Sequence, residues 1–183
     1  MRIQSPLIIL ISNCISATDR FNSLVVDILP FIFVGKHDPH TPVAEVFTKA
    51  WTENTGGTGA VKLYLGEIIS LAQTYLSSPR WALKQTAALS LADSCKSIGK
   101  DVTADQVDLL WPVLVSATSG KSWDGKEAVL DALVALAVNA AQYFEKDQAK
   151  LRELSTVRTR LIFSSIASII NYIRVDCIER GKT

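Results

Sequence analysis

The stretch that decides the fold occurs in two similar copies: Trp81–Cys95 reads WALKQTAALSLADSC and Trp123–Ala137 reads WDGKEAVLDALVALA. In both copies a lysine lies three positions after the tryptophan. The two tryptophans are 42 residues apart, at positions 81 and 123. Apolar residues then recur at i, i+3, i+4 and i+7, the spacing of one buried helix face. They are Ala88, Leu91, Ala92 and Cys95 in the first copy, and Leu130, Leu133, Val134 and Ala137 in the second.

A weaker third copy lies 45 residues upstream of the first, at Val43, Val46, Phe47 and Ala50. Repeats of about 40–47 residues built from helix pairs are typical of HEAT and armadillo proteins. Each hairpin has only one apolar side, so neighbouring hairpins must stack to bury it. The sequence therefore predicts an all-α fold, an α-solenoid of HEAT-like helical hairpins forming a segment of a right-handed superhelix.

Turn and capping residues divide the chain into an atypical N-terminal segment (1–15), about three HEAT-like helix pairs (16–145) and a divergent helical tail (146–183). Thr103 and Gln106 form a capping box at the start of the fifth helix. Pro30 and Pro112 lie inside helices, which we expect them to kink. The predicted helices are Asp19–Val34, Pro42–Glu53, Ala60–Leu76, Pro79 to about Ser97, one that follows Thr103, and one from Asp124 to about Tyr143.

Composition argues against several classes of partner. The 183 residues carry 19 basic and 18 acidic side chains, a formal charge of +1. Proteins that bind the nucleic-acid backbone usually carry a clustered basic excess, so we expect no nucleic-acid partner. Cys14, Cys95 and Cys177 are too few and too scattered for a disulfide framework. Reduced thiols suit the cytoplasm and the nucleus, where we expect the protein.

Two apolar runs raise the question of a membrane. Pro6–Ile11 is shorter than the apolar core of a usual signal peptide, so we expect it to form a buried helix from a preceding repeat. Leu161–Ile173 is shorter than the roughly 20 residues that span a bilayer. We expect no membrane insertion.

Three features could carry chemistry, but each fits a structural role better. The loop Gly56–Gly59 lacks the Gly-Lys-Ser/Thr of a phosphate-binding loop and is interpreted as a turn. His37 and His40 are too few for a zinc site and are expected to be solvated turn residues. Cys95 lies in the apolar stripe and is expected to be an inert buried thiol. We therefore predict no enzyme, cofactor, metal or small-molecule substrate.

The polar residues that open the repeated helices are the best candidates for a partner-facing row, since equivalent positions in a solenoid align along one surface. The alternative is ordinary solvated surface. The candidates are Arg80, Lys84, Gln85, Lys126 and Glu127. Trp81 and Trp123, at the turn-proximal ends of the same helices, are expected to be partly buried packing anchors between repeats.

Four stretches resemble a known family: Pro30–Asp38 (PFIFVGKHD), Trp51–Leu65 (WTENTGGTGAVKLYL), Ser78–Asp93 (SPRWALKQTAALSLAD) and Leu109–Val134. The family is the very large proteasome-associated HEAT-repeat scaffold known as extracellular mutant protein twenty-nine. The sequences of these stretches are similar to those of fungal members and to the C-terminal half of the family's solenoid. The match covers about residues 16–143, whereas residues 1–15 and about 154–183 depart from the family.

The resemblance implies a non-catalytic adaptor that binds the 26S proteasome, bridges its core and regulatory particles and supports quality control of proteasome assembly. It carries over no catalytic residues. The alternative is a protein-binding module of another large HEAT-repeat scaffold, with a role in nuclear transport or translation control.

Overall fold

In the computed structural model, residues 18–119, 123–146, 149–150, 152 and 156 can be described, and all regular structure among them is helical. The chain divides into two compact units, residues 1–140 and 141–183. The second unit contains one described helix, Ala141–Lys146, and the Thr156 hydroxyl donates to the Arg152 carbonyl at 3.0 Å. The predictions for residues 1–15 and for the isoleucine-rich run 161–173 fall outside the described residues.

The first unit is a series of helical hairpins. The helices are α1 (Thr18–Gly35), α2 (Thr41–Asn54), α3 (Thr58–Leu63), α4 (Leu65–Leu76), α5 (Trp81–Ile98), α6 (Ala104–Thr118) and α7 (Glu127–Asn139), with a 3-10 turn at Gly99–Asp101. They pack as α1 on α2, α4 on α5 and α6 on α7, with α4 also contacting α1 and α6.

Helices α5 and α7, which contain the two copies of the 42-residue repeat, lie against each other. Theirs is the most extensive helix–helix contact among the described residues of the first unit. The all-α solenoid of stacked hairpins is therefore confirmed. The capping box is confirmed as well: the Gln106 backbone N–H donates to the Thr103 hydroxyl, and the Gln106 side chain accepts from the Thr103 N–H. The hand of the superhelix stays a prediction, as do the kinks at Pro30 and Pro112.

Several helix boundaries differ from the predicted ones for local reasons. The helix expected at Ala60–Leu76 is broken at Tyr64, whose φ of −103° and ψ of 19° separate α3 from α4. Pro79 does not open α5, because Arg80 is extended and the helix starts at Trp81. The seventh helix starts at Glu127 rather than at Asp124, since Gly125 has a φ of +90° that an α-helix does not allow.

The apolar stripe was predicted correctly for α5 and only in part for α7. Ala88, Leu91, Ala92 and Cys95 are all buried. In α7 the stripe is displaced: Val134 is 63% exposed, whereas Leu133 is buried. The buried residues of α7 are Ala128, Val129, Ala132, Leu133 and Leu136. A shift of 42 residues maps them onto Thr86, Ala87, Ser90, Leu91 and Ser94, which are also buried. These five positions of the repeat are therefore buried in both helices.

Helix α5 buries more of its circumference than α7 because it packs on four helices of the unit: α1, α3, α4 and α7. This crowding explains its small residues. Thr86, Ser90 and Ser94 are buried, and each hydroxyl donates to a backbone carbonyl three or four residues earlier. Small side chains let neighbouring helices approach closely, and these internal hydrogen bonds satisfy the hydroxyls without an outside partner.

The first hairpin is closed by aromatic packing between α1 and α2. The rings of Phe33 and Trp51 lie 4.9 Å apart, and those of Phe31 and Phe47 meet edge to face at 5.6 Å. Gly35 ends α1 directly beside this cluster. A β-carbon at that position would lie 2.7 Å from the Phe47 ring. The glycine is therefore required for the close approach of α2.

We expect the substitution Gly35→Ala to destabilise the chain by about 1–3 kcal/mol, the usual cost of forcing an extra carbon into a packed core. Gly66→Ala is the matched control, because a β-carbon there meets nothing within 4 Å. Urea unfolding followed by circular dichroism would measure both. Equal stability of the two variants would contradict the close approach of Gly35 to Phe47.

Candidate protein-interaction surface

A groove opens where the C-terminal end of α4, the start of α5 and the C-terminal half of α6 meet. It has a volume of about 760 Å³, within the range of roughly 300–1,000 Å³ for ligand pockets. Its lining combines apolar walls with hydroxyl, amide and ammonium groups. The lining residues are Gln73, Leu76, Ser77, Trp81, Lys84, Pro112, Val113, Ser116, Ala117, Ser119 and Trp123.

The turn between α4 and α5 places Trp81 at the rim of the groove. The Ser77 hydroxyl donates to the Gln73 carbonyl at 2.9 Å and so ends α4. The Arg80 N–H then donates to the Ser78 hydroxyl at 3.1 Å, which orders the residue before α5. Trp81 is the first residue of α5 and is 61% exposed. The fold therefore presents most of a large aromatic side chain to solvent.

A contact between α6 and the turn before α7 involves Ser119, which also lines the groove. The Lys126 Nζ donates to the Ser119 carbonyl at 3.2 Å, just past the last residue of α6. A cation at a helix C-terminus satisfies carbonyls that lack intrahelical donors and interacts favourably with the helix dipole. Trp123, half-buried, lines the groove from this turn.

Lys84 and Lys126 occupy equivalent positions in the 42-residue repeat, and both are half-buried. Burial lowers the pKa of Lys126, and the nearby charge of Lys84 lowers it further. Lys84 forms no ion pair with a carboxylate of residues 24–119 or 123–144.

The other three predicted partner-facing residues are placed differently. Arg80 and Glu127 are exposed at the starts of α5 and α7 and do not line the groove. Gln85 is half-buried against the turn before α7, where its Cγ would lie 2.7 Å from a β-carbon on Gly125. Only Lys84 of the predicted set lines the groove directly. The partner-facing role of all five residues stays a prediction.

The repeat predicts Trp81 and Trp123 as packing anchors, but it does not indicate that both line one groove. Nor does the sequence indicate the wall supplied by Pro112, Val113 and Ser116 of α6. The equal spacing of the tryptophans pointed to equivalent positions. However, no local pattern shows that the end of α6 faces the start of α5, because this is a contact between helices of successive hairpins.

Comparison with known proteins identifies relatives of the chain. The chain is 32% identical over 127 residues to "Proteasome component ECM29" of Saccharomyces cerevisiae, covering 69% of this chain and 7% of that protein. It is 33% identical over 144 residues to "Proteasome component ecm29" of Schizosaccharomyces pombe, covering 79% of this chain and 8% of that protein. This chain belongs to the Ecm29 family. The family resemblance of the sequence is thereby confirmed.

The likeness extends to animal Ecm29 proteins. "Proteasome adapter and scaffold protein ECM29" of Homo sapiens is 26% identical over 164 residues, which cover 79% of this chain and 9% of that protein. The chain therefore spans less than a tenth of the length of these three Ecm29 relatives. No family model and no solved structure matches it.

Two of the candidate chemical features of this Ecm29 chain have plain structural roles. Gly57 has a φ of +84° directly before α3, so the loop turns at a position that requires glycine, and Thr58 and Gly59 already belong to α3. Cys95 is buried, and desolvation raises the pKa of its thiol to about 12. A thiol with such a pKa is protonated at neutral pH and is a poor nucleophile.

His37 is not the solvated turn residue that was expected. Its Nε2 donates to Asp93 Oδ2 of α5 at 3.2 Å, and Lys36 Nζ pairs with the same oxygen at 3.2 Å. The hydrogen bond from His37 lowers the pKa of Asp93 to about 2, and the Lys36 charge adds to this effect against the opposing effect of burial. His40 is exposed. The residues of this cluster therefore tie the end of α1 to α5.

Replacing Asp93 with asparagine should lower the free energy of unfolding by up to about 2 kcal/mol at neutral pH, because a shift of one pKa unit corresponds to about 1.4 kcal/mol. The folded-state pKa lies below the ordinary value of 3.8, so this stability is present above about pH 4 and is lost as the pH falls towards 2.

Urea unfolding at a series of pH values would measure the difference between wild type and Asp93→Asn. The exposed Asp131 of α7 provides the control variant Asp131→Asn, for which we expect a change within about 0.5 kcal/mol. A difference between wild type and Asp93→Asn that stayed constant from neutral pH down to pH ~2 would contradict the assigned cluster.

No helix among the described residues combines the length and the apolar composition needed to cross a bilayer. Likewise, no group of three or more His, Cys, Asp or Glu side chains in the described ranges is placed to hold a metal ion.

Proposed function

We propose that this chain is a protein-binding segment of a proteasome scaffold, and that the protein containing it bridges the core and regulatory particles of the 26S proteasome and supports quality control of their assembly. The observation that carries the proposal is the alignment of 69–79% of the chain with three proteins named as proteasome components or as a proteasome adapter and scaffold. Stacked hairpins suit such a role, since they offer extended surfaces to large partners.

The proposed role is binding without catalysis. Two of the described side chains that could support chemistry have structural roles: the Cys95 thiol is buried, and the His37 ring is held by Asp93. The groove between Trp81 and Trp123 offers instead what protein interfaces favour, namely accessible aromatic rings beside polar groups. We place the protein in the cytoplasm and the nucleus.

Affinity capture of the full-length product of the locus tests the proposal. The tagged protein would be isolated under gentle, ATP-containing conditions, and proteasome subunits would be quantified by mass spectrometry against an untagged strain. We expect enrichment of both core and regulatory subunits. Their absence, with importin cargo or ribosomes recovered instead, would favour another HEAT-repeat scaffold and overturn the proposal.

A second experiment tests whether the protein bridges the core and regulatory particles. Deletion of the locus should lower the amount of regulatory particle that stays with affinity-purified core particle during a salt wash. The control is the same purification from a strain that lacks an unrelated HEAT-repeat protein. An unchanged ratio of the two particles would rule out bridging, while leaving simple proteasome association in place.

A further inference from the structure

A second groove, the α1–α4 groove, is lined by residues between positions 26 and 31 of α1 and between positions 67 and 74 of α4. Its volume is about 500 Å³, enough for a few side chains of a binding partner. Phe31 and Leu71 line it, are half-buried and pack against the hydrophobic core, whereas Val26 is 49% exposed. The described part of the chain therefore leaves an apolar surface open between these two helices.

All the charge on residues 24–35 of α1 and on α4 is negative. Asp27 and Glu67 are the only charged residues in these two stretches, and both are exposed. Both also line the α1–α4 groove, one from each wall. Neither carboxylate forms an ion pair with a cation of residues 24–119 or 123–144. The described part of the chain therefore leaves both negative charges without a counter-charge.

Two further polar groups on the lining residues can accept hydrogen bonds. Pro30 has no N–H, so the Val26 carbonyl lacks the donor that an α-helix normally supplies at this position. The Thr74 hydroxyl donates to the Ser70 carbonyl at 3.1 Å, which leaves its oxygen as an acceptor. Together with the two carboxylates, these groups favour a ligand that is rich in N–H donors and positively charged.

Arginine combines the properties that this lining favours. Its guanidinium carries a permanent positive charge and five N–H donors, and its stem of three methylenes can pack along apolar walls. A calcium ion would instead take six or more oxygen ligands and would make no use of the apolar surface. A nucleic-acid backbone would be repelled by the two carboxylates.

From these observations we infer that the α1–α4 groove binds a basic segment of a partner protein, with an arginine stem packed against Phe31 and Leu71 and its guanidinium paired with Asp27 and Glu67. The inference deepens the proposed scaffold function and rests on it, because it names the chemistry of a partner that this segment of the scaffold would recognise.

A peptide array tests the inference with the purified chain. One set of short immobilised peptides would carry a fixed arginine flanked by varied apolar residues. A second set would carry citrulline at the same position, which keeps the shape of arginine and removes its charge. We expect retention of the chain to be about tenfold higher on the arginine set, because charge-assisted hydrogen bonds are lost with citrulline. Equal retention on both sets would overturn the inference.

Charge variants locate the binding on the protein. Asp27→Asn and Glu67→Gln should each weaken retention on the arginine set by about threefold, and the double variant by about tenfold, as expected for exposed ion pairs. Glu45→Gln is the matched control, because Glu45 is exposed on α2 and does not line the α1–α4 groove. Retention that is unchanged in the double variant would overturn the assignment to this groove.

A variant that removes no charge provides a second test. Glu67 lies in the first turn of α4, where a carboxylate also favours the helix, so the melting temperature of each variant would be compared with that of the wild type. Ser70 is exposed and lines the groove, so Ser70→Trp should fill the groove, keep the wild-type melting temperature and abolish the preference for arginine. A Ser70→Trp variant that still prefers arginine would also overturn the assignment.

Two further measurements separate a partner segment from other occupants. Retention on the arginine set should persist in millimolar CaCl₂ at constant ionic strength, and full displacement would mean that the two carboxylates hold a divalent cation instead. Deletion of residues 1–15 should leave retention unchanged, whereas a large rise would mean that the chain's own N-terminal segment occupies the groove. A failed array together with successful proteasome capture would overturn this inference alone, whereas arginine-dependent retention without proteasome capture would overturn the proposed function.

Discussion

Replacing Leu91 with alanine is expected to lower the free energy of unfolding by about 3–5 kcal/mol, one of the largest effects available in this chain. Leu91 is fully buried in the middle of α5, which packs on α1, α3, α4 and α7. Removal of its side chain would leave a cavity whose lining belongs to helices that hold each other in place, so little relaxation is possible. Domains of this size are commonly stable by only about 5–15 kcal/mol, so a large share of the total would be lost.

Leu89 provides the matched control, because it lies on the same helix and is 38% exposed. Leu89→Ala should cost about 1 kcal/mol or less. Chemical denaturation of both variants, followed by circular dichroism, would measure the difference. A Leu91→Ala variant no less stable than Leu89→Ala would contradict the position of α5 at the centre of the stacked hairpins.

The second large effect is expected at Gly125, in the turn that leads into α7. Its φ of +90° is strained for any residue with a side chain, and a β-carbon would lie 2.7 Å from Gln85 Cγ. Backbone strain of about 1–2 kcal/mol and overpacking of about 1–3 kcal/mol act together at this position. We therefore expect Gly125→Ala to destabilise the chain by about 2–5 kcal/mol.

Two further variants separate the causes. In a Gln85→Ala background the contact with Cγ is gone, so Gly125→Ala should cost less there, and the remainder reports the backbone strain. Gly59→Ala, in α3 with open space around it, should instead stabilise by about 0.5–1 kcal/mol, because alanine has the higher helix propensity. A Gly125→Ala variant with wild-type stability would exclude the positive φ of this turn.

The periodicity of apolar residues predicted only part of the packing of α5 and α7. Their shared spacing predicted two equivalent helices, and these do lie against each other. The same spacing placed Val134 on the buried face, where the structure leaves it 63% exposed. A helix such as α7, nearly all apolar, allows more than one choice of buried face. The choice is made by the helices that pack on it, and these are remote in sequence.

The groove likewise depends on packing between residues that are remote in sequence. The repeat marked Trp81 and Trp123 as equivalent, and the polar residues beside them were predicted as a row. The groove itself needs the end of α6 to approach the start of α5. This approach brings together residues of different hairpins, and the spacing within each helix contains no information about it.

The sequence by itself determined the helical hairpins, their order, the capping box at Thr103 and the 42-residue spacing, because hydrogen bonds and side-chain periodicity within one helix are short-range properties. Only the tertiary structure decided which face of α7 is buried, that His37 and Lys36 hold Asp93 of α5 across more than fifty residues, and that Trp81 and Lys84 share a groove. Those outcomes depend on packing between hairpins, as at Gly125, where the absence of a β-carbon makes room for Gln85 of α5.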